Sequence, residues 1–471
     1  MRSQKDRVMA FSTPAFVFAF LPVVYILHLI IRNQTARNLL LLVASLLFYS
    51  AGSLTHLTLL IGVALINFLA GLLFRKRVRF AKTVLVVSLI LNLGALALFK
   101  YLNFFGSEFS SLFGLRGTLP QIALPIGISF FTFQGISYAM DVYRNPEAGT
   151  TSFFELLLYI SFFPQLIAGP IVQYHDVAEQ LRRRTLHTQE MAEGFRRFVV
   201  GLSKKLLIAD ILAAAVDPLF AQSGSLDFRT GLLAAIGYSM QIYFDFSGYS
   251  DMAIGMGRMF GFHFLENFHH PYSASTVRDF WRRWHISLSH WFREYLYIPL
   301  GGNRKGLMRT CLNLMIVFFL TGLWHGANWT FVIWGLWHGF WCVLERLTPL
   351  KKLQNRVIGH IYTMLIVIIG FVVFRADSFA QAADVIGAVF TGFRLTREGA
   401  ILLRSVLSVK LLLAGFLAVF LSTGLQRRFV DRIRGKAAWE ILCNAGALVC
   451  LCLCSLRLAA ASFNPFIYFR F

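Results

Sequence analysis

Apolar runs of about 20 residues recur along this chain. In hydrocarbon a backbone N–H or C=O finds no water, so each run must close its own hydrogen bonds as a helix. Runs of this kind lie at 11–31, 38–53, 54–74, 81–102, 121–140, 153–174, 196–220, 229–256, 308–323, 326–345, 357–374, 405–425 and 438–461. The expectation is an all-α polytopic membrane protein with roughly 11 to 13 membrane helices, some of them short, broken or re-entrant. Composition agrees: 57% of residues are hydrophobic, 14% are charged and the mean hydropathy is +0.62, which excludes an ordinary soluble globular protein. With no internal repeat and no low-complexity tract, residues 1–471 are expected to form a single domain. Arg2, Lys5 and Arg7 precede the first run, but no small-residue cleavage site follows it, so it reads as a retained helix rather than a signal peptide.

Charge gives the orientation. The 45 Lys and Arg outnumber the 23 Asp and Glu, and in a membrane protein such an excess marks cytoplasmic loops rather than a nucleic-acid site. It would also help to hold an anionic acyl donor. Basic clusters fall at 75–79, 182–184, Lys204 with Lys205, 282–305, 346–356 and 427–436. Placing them in the cytoplasm runs the last three apolar segments outward, inward and outward, which leaves the tail 462–471 extracytoplasmic. The six cysteines all lie in apolar runs without a C-x-x-C pair and read as buried thiols.

Some runs carry residues that a plain span does not need. Residues 124–144 (LPIGISFFTFQGISYAMDVYR), 162–170 (FFPQLIAGP) and 243–255 (YFDFSGYSDMAIG) hold Pro, Gly or acidic side chains. Irregular backbone at membrane depth survives only inside protein or along a wet cavity; the plainer reading is kinked helices packed closely through small residues. Asp245 and Asp251 are expected to face a polar interior, because a carboxylate facing lipid is costly.

Residues 278–341 stand apart, with eight of the nine Trp. Around 273–299 the mixture of Arg with Trp, Phe and Tyr suits a headgroup interface or a broken helix entering the bilayer. Interface anchoring explains the Arg and Trp residues but gives no reason for His285. His285 and His325 each follow a Trp in apolar surroundings, where an imidazole is expensive unless paired or used. A buried neutral imidazole can take the proton of a hydroxyl, so two such groups, or a base and an orienting donor, could run acyl transfer in a dry pocket. The separation of His285 and His325 is no metal-ligand spacing, and no metal is expected.

The blocks 281–289 (WRRWHISLS), 297–305 (YIPLGGNRK) and 322–330 (GLWHGANWT) resemble those of the membrane-bound O-acyltransferase family. With 243–251 (YFDFSGYSD) and 267–272 (NFHHPY), they are most similar to its bacterial branch that O-acetylates alginate and related envelope polymers. The similarity extends from residue 11 and weakens after about Asp377. It implies a ring of tilted helices around a thinned central funnel, with His325 as the catalytic histidine and His285 as its partner. Span counting alone puts His285 near the inner face and His325 near the outer end of its helix, so the two can cooperate only if their segments dip toward each other. Trp324, Asn328, Arg282, Arg283, Asp245 and Asp251 are the candidates for substrate or donor binding.

The resemblance implies an O-acetyltransferase of the bacterial inner membrane that moves an acyl group, with no bound cofactor. The donor would be a cytoplasmic thioester, acetyl-CoA, and the acceptor a cell-envelope or extracellular polysaccharide. The tail 462–471 (SFNPFIYFRF) is similar to F-x-Y-F-x-F endings in related envelope systems, which implies Tyr468 as an acyl relay to a separate extracytoplasmic SGNH-type transferase. On the residues alone the tail also reads as an aromatic headgroup anchor. D-alanyl transfer toward teichoic acid is the enzymatic alternative. A transporter or flippase is the alternative of another class, and would call for an inverted repeat and ion-coupling carboxylates in broken helices.

Overall fold

The computed structural model describes residues 9–113, 122–348, 355–424, 437–460 and 466. Every regular element among them is helical, so the all-α polytopic expectation holds. Among the described residues five helices are long and apolar enough to cross a membrane: Leu54–Arg75, Ala81–Gly106, Gly306–His325, Arg356–Arg375 and Trp439–Ala460. A sixth crossing is available if Arg397–Val406 and Val409–Ser422, bent by 81°, act as one broken span. Several other apolar runs of the sequence are divided into shorter helices, as at Phe153–Ser161 and Phe163–Leu166. Many Leu, Ile and Phe side chains stay outward, including Ile361, Phe416, Ile441 and Leu448, as a surface solvated by lipid tails requires.

The chain gathers into two compact units, Met1–Phe198 with Ser250–Glu266 and Val199–Tyr249 with Asn267–Phe471. In the first, the irregular stretch after Ser161 is buried throughout, and side chains meet its backbone. The Phe163 amide donates to Ser45 Oγ at 3.1 Å, and Tyr159 donates its hydroxyl to the Val172 carbonyl at 2.9 Å. Non-helical backbone thus persists because protein encloses it, as expected for residues 162–170.

In the second unit the run at 196–220 is not interrupted by a loop at Lys204 and Lys205. A π-helical turn, Lys204–Ala209, joins Thr188–Ser203 to Asp210–Ala221, and Lys205 is only 1% exposed. Residues 243–255 likewise form no break, since they lie within the single helix Phe228–Met259. There the plainer expectation of close packing holds: a Cβ on Gly248 would come within 2.8 Å of the Gly201 carbonyl oxygen.

The segment rich in Arg and Trp is a broken helix. Val277–Arg283 starts at Thr276, whose hydroxyl accepts from the Asp279 amide, and ends at Trp284. Ile286–Phe292 starts again at once, and a π turn, Arg293–Tyr297, follows. Phe280, Trp284, Phe331, Trp334 and Phe371 share the core of this unit, so these aromatic residues fill an interior.

Gly306–His325 and Trp329–Leu347 pack as a tight antiparallel pair, turned at residues 326–328 and capped by Asn328, whose side chain accepts from the Thr330 amide. Glycine sets how closely they approach. A Cβ on Gly335 would meet the Phe318 carbonyl oxygen at 2.3 Å, and one on Gly322 the Phe331 carbonyl at 2.4 Å. Because both obstacles are backbone, a larger residue must push the helices apart. Gly335→Val should therefore lower the stability of the detergent-solubilised protein by at least the ~1–3 kcal/mol typical of overpacking, read as an earlier unfolding transition, whereas Gly415→Val, with nothing near its Cβ, should not.

Candidate functional site

The Gly306–His325 helix ends on His325, and the helix break ends on His285. His285 takes a left-handed backbone (φ 47°, ψ 52°), a strained state for a residue with a Cβ. The break turns the chain back so that the two imidazole rings lie 6.3 Å apart, centroid to centroid. Span counting had put them toward opposite faces; in the structure the two rings meet. Both rings are buried, His285 at 1% and His325 at 6% exposure.

Aromatic side chains enclose the pair. Trp324 lies 4.8 Å from His325 and 5.9 Å from His285, and Trp334 and Phe374 stand edge-on to His325 at 5.0 and 5.2 Å. Phe246 closes the other side of His285 at 4.6 Å. His285 Nδ1 lies 3.2 Å from Asn267 Oδ1, an oxygen that also accepts from the Ser287 hydroxyl at 2.9 Å and the Ser287 amide at 3.3 Å. Two imidazoles in a dry aromatic enclosure suit proton transfer to and from a hydroxyl or thiol. Among the described residues no three His, Cys, Asp or Glu side chains converge as metal ligands.

The other sequence candidates divide. Trp324 is part of the enclosure. Asn328 serves the fold, capping a helix and donating from Nδ2 to the Asp377 carbonyl at 3.1 Å. Arg283 donates to Asp279 at 3.0 Å and to Ser273, while Arg282 is exposed. Asp251 belongs to the first unit, where Arg197 joins it at 2.9 Å and reaches Glu266 as well.

Asp245 belongs to a buried ion cluster that the sequence reading had missed. Lys205 Nζ lies 2.6 Å from Asp245 and 2.9 Å from Asp210. Both lysines had been counted with the basic loops; the readable signal was an acid at 210 inside the same apolar run, five residues on. Phe466 lies against this cluster, 1% exposed, with Lys205 Nζ 4.5 Å from its ring centre and Tyr249 edge-on at 4.8 Å. This one described residue of the aromatic tail is therefore docked in the protein. Tyr468 lies outside the described residues. His338, in a second W-H-G at 337–339, was also passed over; it is fully buried between Trp281 and Trp334.

The profile of the membrane-bound O-acyltransferase family, MBOAT, matches residues 41–355. The chain is 40% identical to the "Probable alginate O-acetylase AlgI" of Pseudomonas putida, over 98% of this chain and all of that protein. It is 37% identical to the peptidoglycan O-acetyltransferase of Helicobacter pylori over 80% of this chain and 79% of that one. A teichoic acid D-alanyltransferase of Bacillus subtilis is 28% identical over 44% of this chain and 55% of its own length.

Lys205 sits between two carboxylates, so removing it takes from both a cation that they bond in a buried place. Lys205→Met should destabilise the solubilised protein by about 3–5 kcal/mol, as breaking a buried ion pair does. Thermal unfolding checks this, and an unchanged transition would mean that the acids are neutralised some other way.

Proposed function

This chain belongs to the membrane-bound O-acyltransferase family and is a membrane O-acetyltransferase, and from that premise we propose that it moves acetyl from a cytoplasmic thioester, acetyl-CoA, through the inner membrane for O-acetylation of an envelope polysaccharide. The observation that carries the reading is the meeting of His285 and His325 inside one aromatic enclosure. Acetyl is favoured over D-alanyl because the likeness to the O-acetylating relatives runs through most of the chain, while that to the D-alanyl relative covers less than half.

In the proposed reaction His325 is the general base. It takes the proton of the acceptor hydroxyl as that oxygen bonds to the acyl carbon; the carbon–sulfur bond then breaks, and the leaving thiolate recovers the proton from the imidazolium. His285 assists from the other side of the enclosure. Trp324 lines the route of the acyl group, and Arg282 and Arg283 lie on the side from which an anionic donor enters. Asp245 contributes through the ion cluster rather than by touching substrate, and Asn328 and Asp251 act through the fold.

The first acceptor in this scheme is Tyr468, reaching back from the extracytoplasmic tail. Burial of Phe466 two residues before it supports a tail that returns into the protein. A phenol has a pKa near 10, so its ester is more activated than an alkyl ester and passes the acyl group downhill to a serine or sugar hydroxyl. A secreted SGNH-type transferase would then take it to the polymer.

His325→Ala should cut acetylation by the ~10²- to 10⁴-fold typical of losing a general base, with normal amounts of folded protein; near-normal product in cells carrying only this variant would overturn the assignment. His285→Ala should lower it less.

Tyr468→Phe keeps the ring and deletes one oxygen. It should insert normally yet leave the polymer unacetylated, and the wild-type C-terminal peptide should gain the acyl mass on incubation with donor. Full acetylation by the Phe variant would make the tail an anchor and pass the acceptor role to another molecule.

A further inference from the structure

We propose that Asn267 is a positioning residue that fixes His285 in one tautomer, with the proton on Nδ1 and the lone pair on Nε2. The inference rests on the reading of His285 as a working histidine, and its first test does not depend on activity.

The argument begins with a backbone donor that cannot change its role. The Ser287 N–H points at Asn267 Oδ1 at 3.3 Å. An amide hydrogen only donates, so the Asn267 atom facing it must be the carbonyl oxygen; turning the amide over would set NH₂ against N–H. The same oxygen lies 3.2 Å from His285 Nδ1. An acceptor there requires a hydrogen on Nδ1, and in a neutral imidazole this leaves Nε2 as the acceptor. Thus the orientation of a backbone amide two residues along the chain decides which nitrogen of His285 can take a proton.

Asn267 also supports the strained turn that carries the ring. Its own carbonyl accepts from the Ile286 amide at 3.0 Å, and the Ser287 hydroxyl donates to its Oδ1 at 2.9 Å. Nearby, the His269 amide donates to the Arg283 carbonyl at 2.9 Å, so residues 267–269 run beside the break as a splint. The first amides of Ile286–Phe292 have no partner within their helix, and His285, at its N-cap, makes no side-chain cap bond. Asn267 supplies those bonds instead. One residue, through its backbone carbonyl and its side-chain oxygen, therefore satisfies the helix start, holds a left-handed residue and sets its tautomer. Asn267 is itself 1% exposed, as such a post must be.

The decisive measurement is two-bond ¹H–¹⁵N correlation on the full-length protein in detergent or nanodiscs, labelled at histidine, with His285→Gln to assign the signal. We expect the His285 pattern of an Nδ1-protonated neutral ring; the Nε2-protonated pattern would overturn the proposal, whatever reaction the protein performs. Two variants then separate positioning from packing. Asn267→Asp keeps an oxygen acceptor for the same three donors and adds a charge that favours the imidazolium. It should fold normally and keep the tautomer, but lose acetylation as pH falls from 8 to 6 more steeply than wild type does. Asn267→Ala should lower turnover on the order of 10- to 100-fold, by analogy with the loss of a hydrogen-bond partner that orients a metal-bound histidine. If Asn267→Ala fails to fold, the Asp variant alone decides: a pH profile superimposable on wild type overturns the positioning role.

Discussion

A helix that stops and restarts inside a membrane protein exposes backbone amides that lipid cannot satisfy, and the arrangement around His285 follows from the way that demand is met. The break at Trp284 and His285 leaves the first amides of Ile286–Phe292 without partners in their own helix, and Asn267 answers with its carbonyl and its side-chain oxygen. With that support the chain can hold a left-handed histidine, at the ordinary cost of about 1–3 kcal/mol for such a residue. The turn brings His285 to within 6.3 Å of His325. An unbroken helix through the same residues would carry the ring one more step along its own axis instead of into the enclosure.

Two kinds of interior are combined in the unit that holds the histidines. Around the imidazoles the packing is aromatic, with edge-on contacts near 5 Å from Trp324, Trp334 and Phe374, a geometry that fills space and adds favourable quadrupole contacts. At Lys205 the interior is ionic, one cation held between Asp210 and Asp245. The charged cluster is tolerable because each charge finds its opposite within hydrogen-bonding distance. Phe466 joins it by offering a ring face to the lysine, so the ion cluster doubles as the seat of the described tail residue.

Much of this was legible in the sequence, and the misses have physical causes. Hydropathy identified the helical class because lipid leaves no alternative for the backbone, and the cost of an isolated imidazole singled out His285 and His325. What hydropathy could not say was where a run would break. Residues 243–255 carry two glycines, a serine pair and two acids, yet stay helical because Gly248 lets the neighbouring backbone come close. The break at His285 lies instead among Arg and Trp with no Gly or Pro to announce it, because its support comes from Asn267, 18 residues away in sequence. Lys205 was misplaced for a similar reason: a charge count treats every lysine as solvated, and only three-dimensional pairing shows one to be buried. Asn328 and Arg283 owed their selection to sitting in informative motifs, and their contacts are those of a helix cap and a local ion pair.

In the proposed reaction, burial of both histidines also bears on how a thioester donor would survive long enough to be used. Water is both the commonest hydroxyl near any membrane enzyme and a competitor for every activated acyl group, and a base that activates an acceptor would activate water as readily. Trp324, Trp334, Phe374 and Phe246 surround the rings with groups that give water little to bond to. In the proposed reaction the acceptor hydroxyl must therefore be carried in on a side chain or substrate that itself displaces solvent. An aromatic carrier such as Tyr468 meets that condition, since its ring replaces water with the same kind of surface that already lines the site. On the proposed reading the enclosure would select the acceptor by hydrophobicity before chemistry begins, and a single neutral histidine would then act as base without hydrolysing the donor.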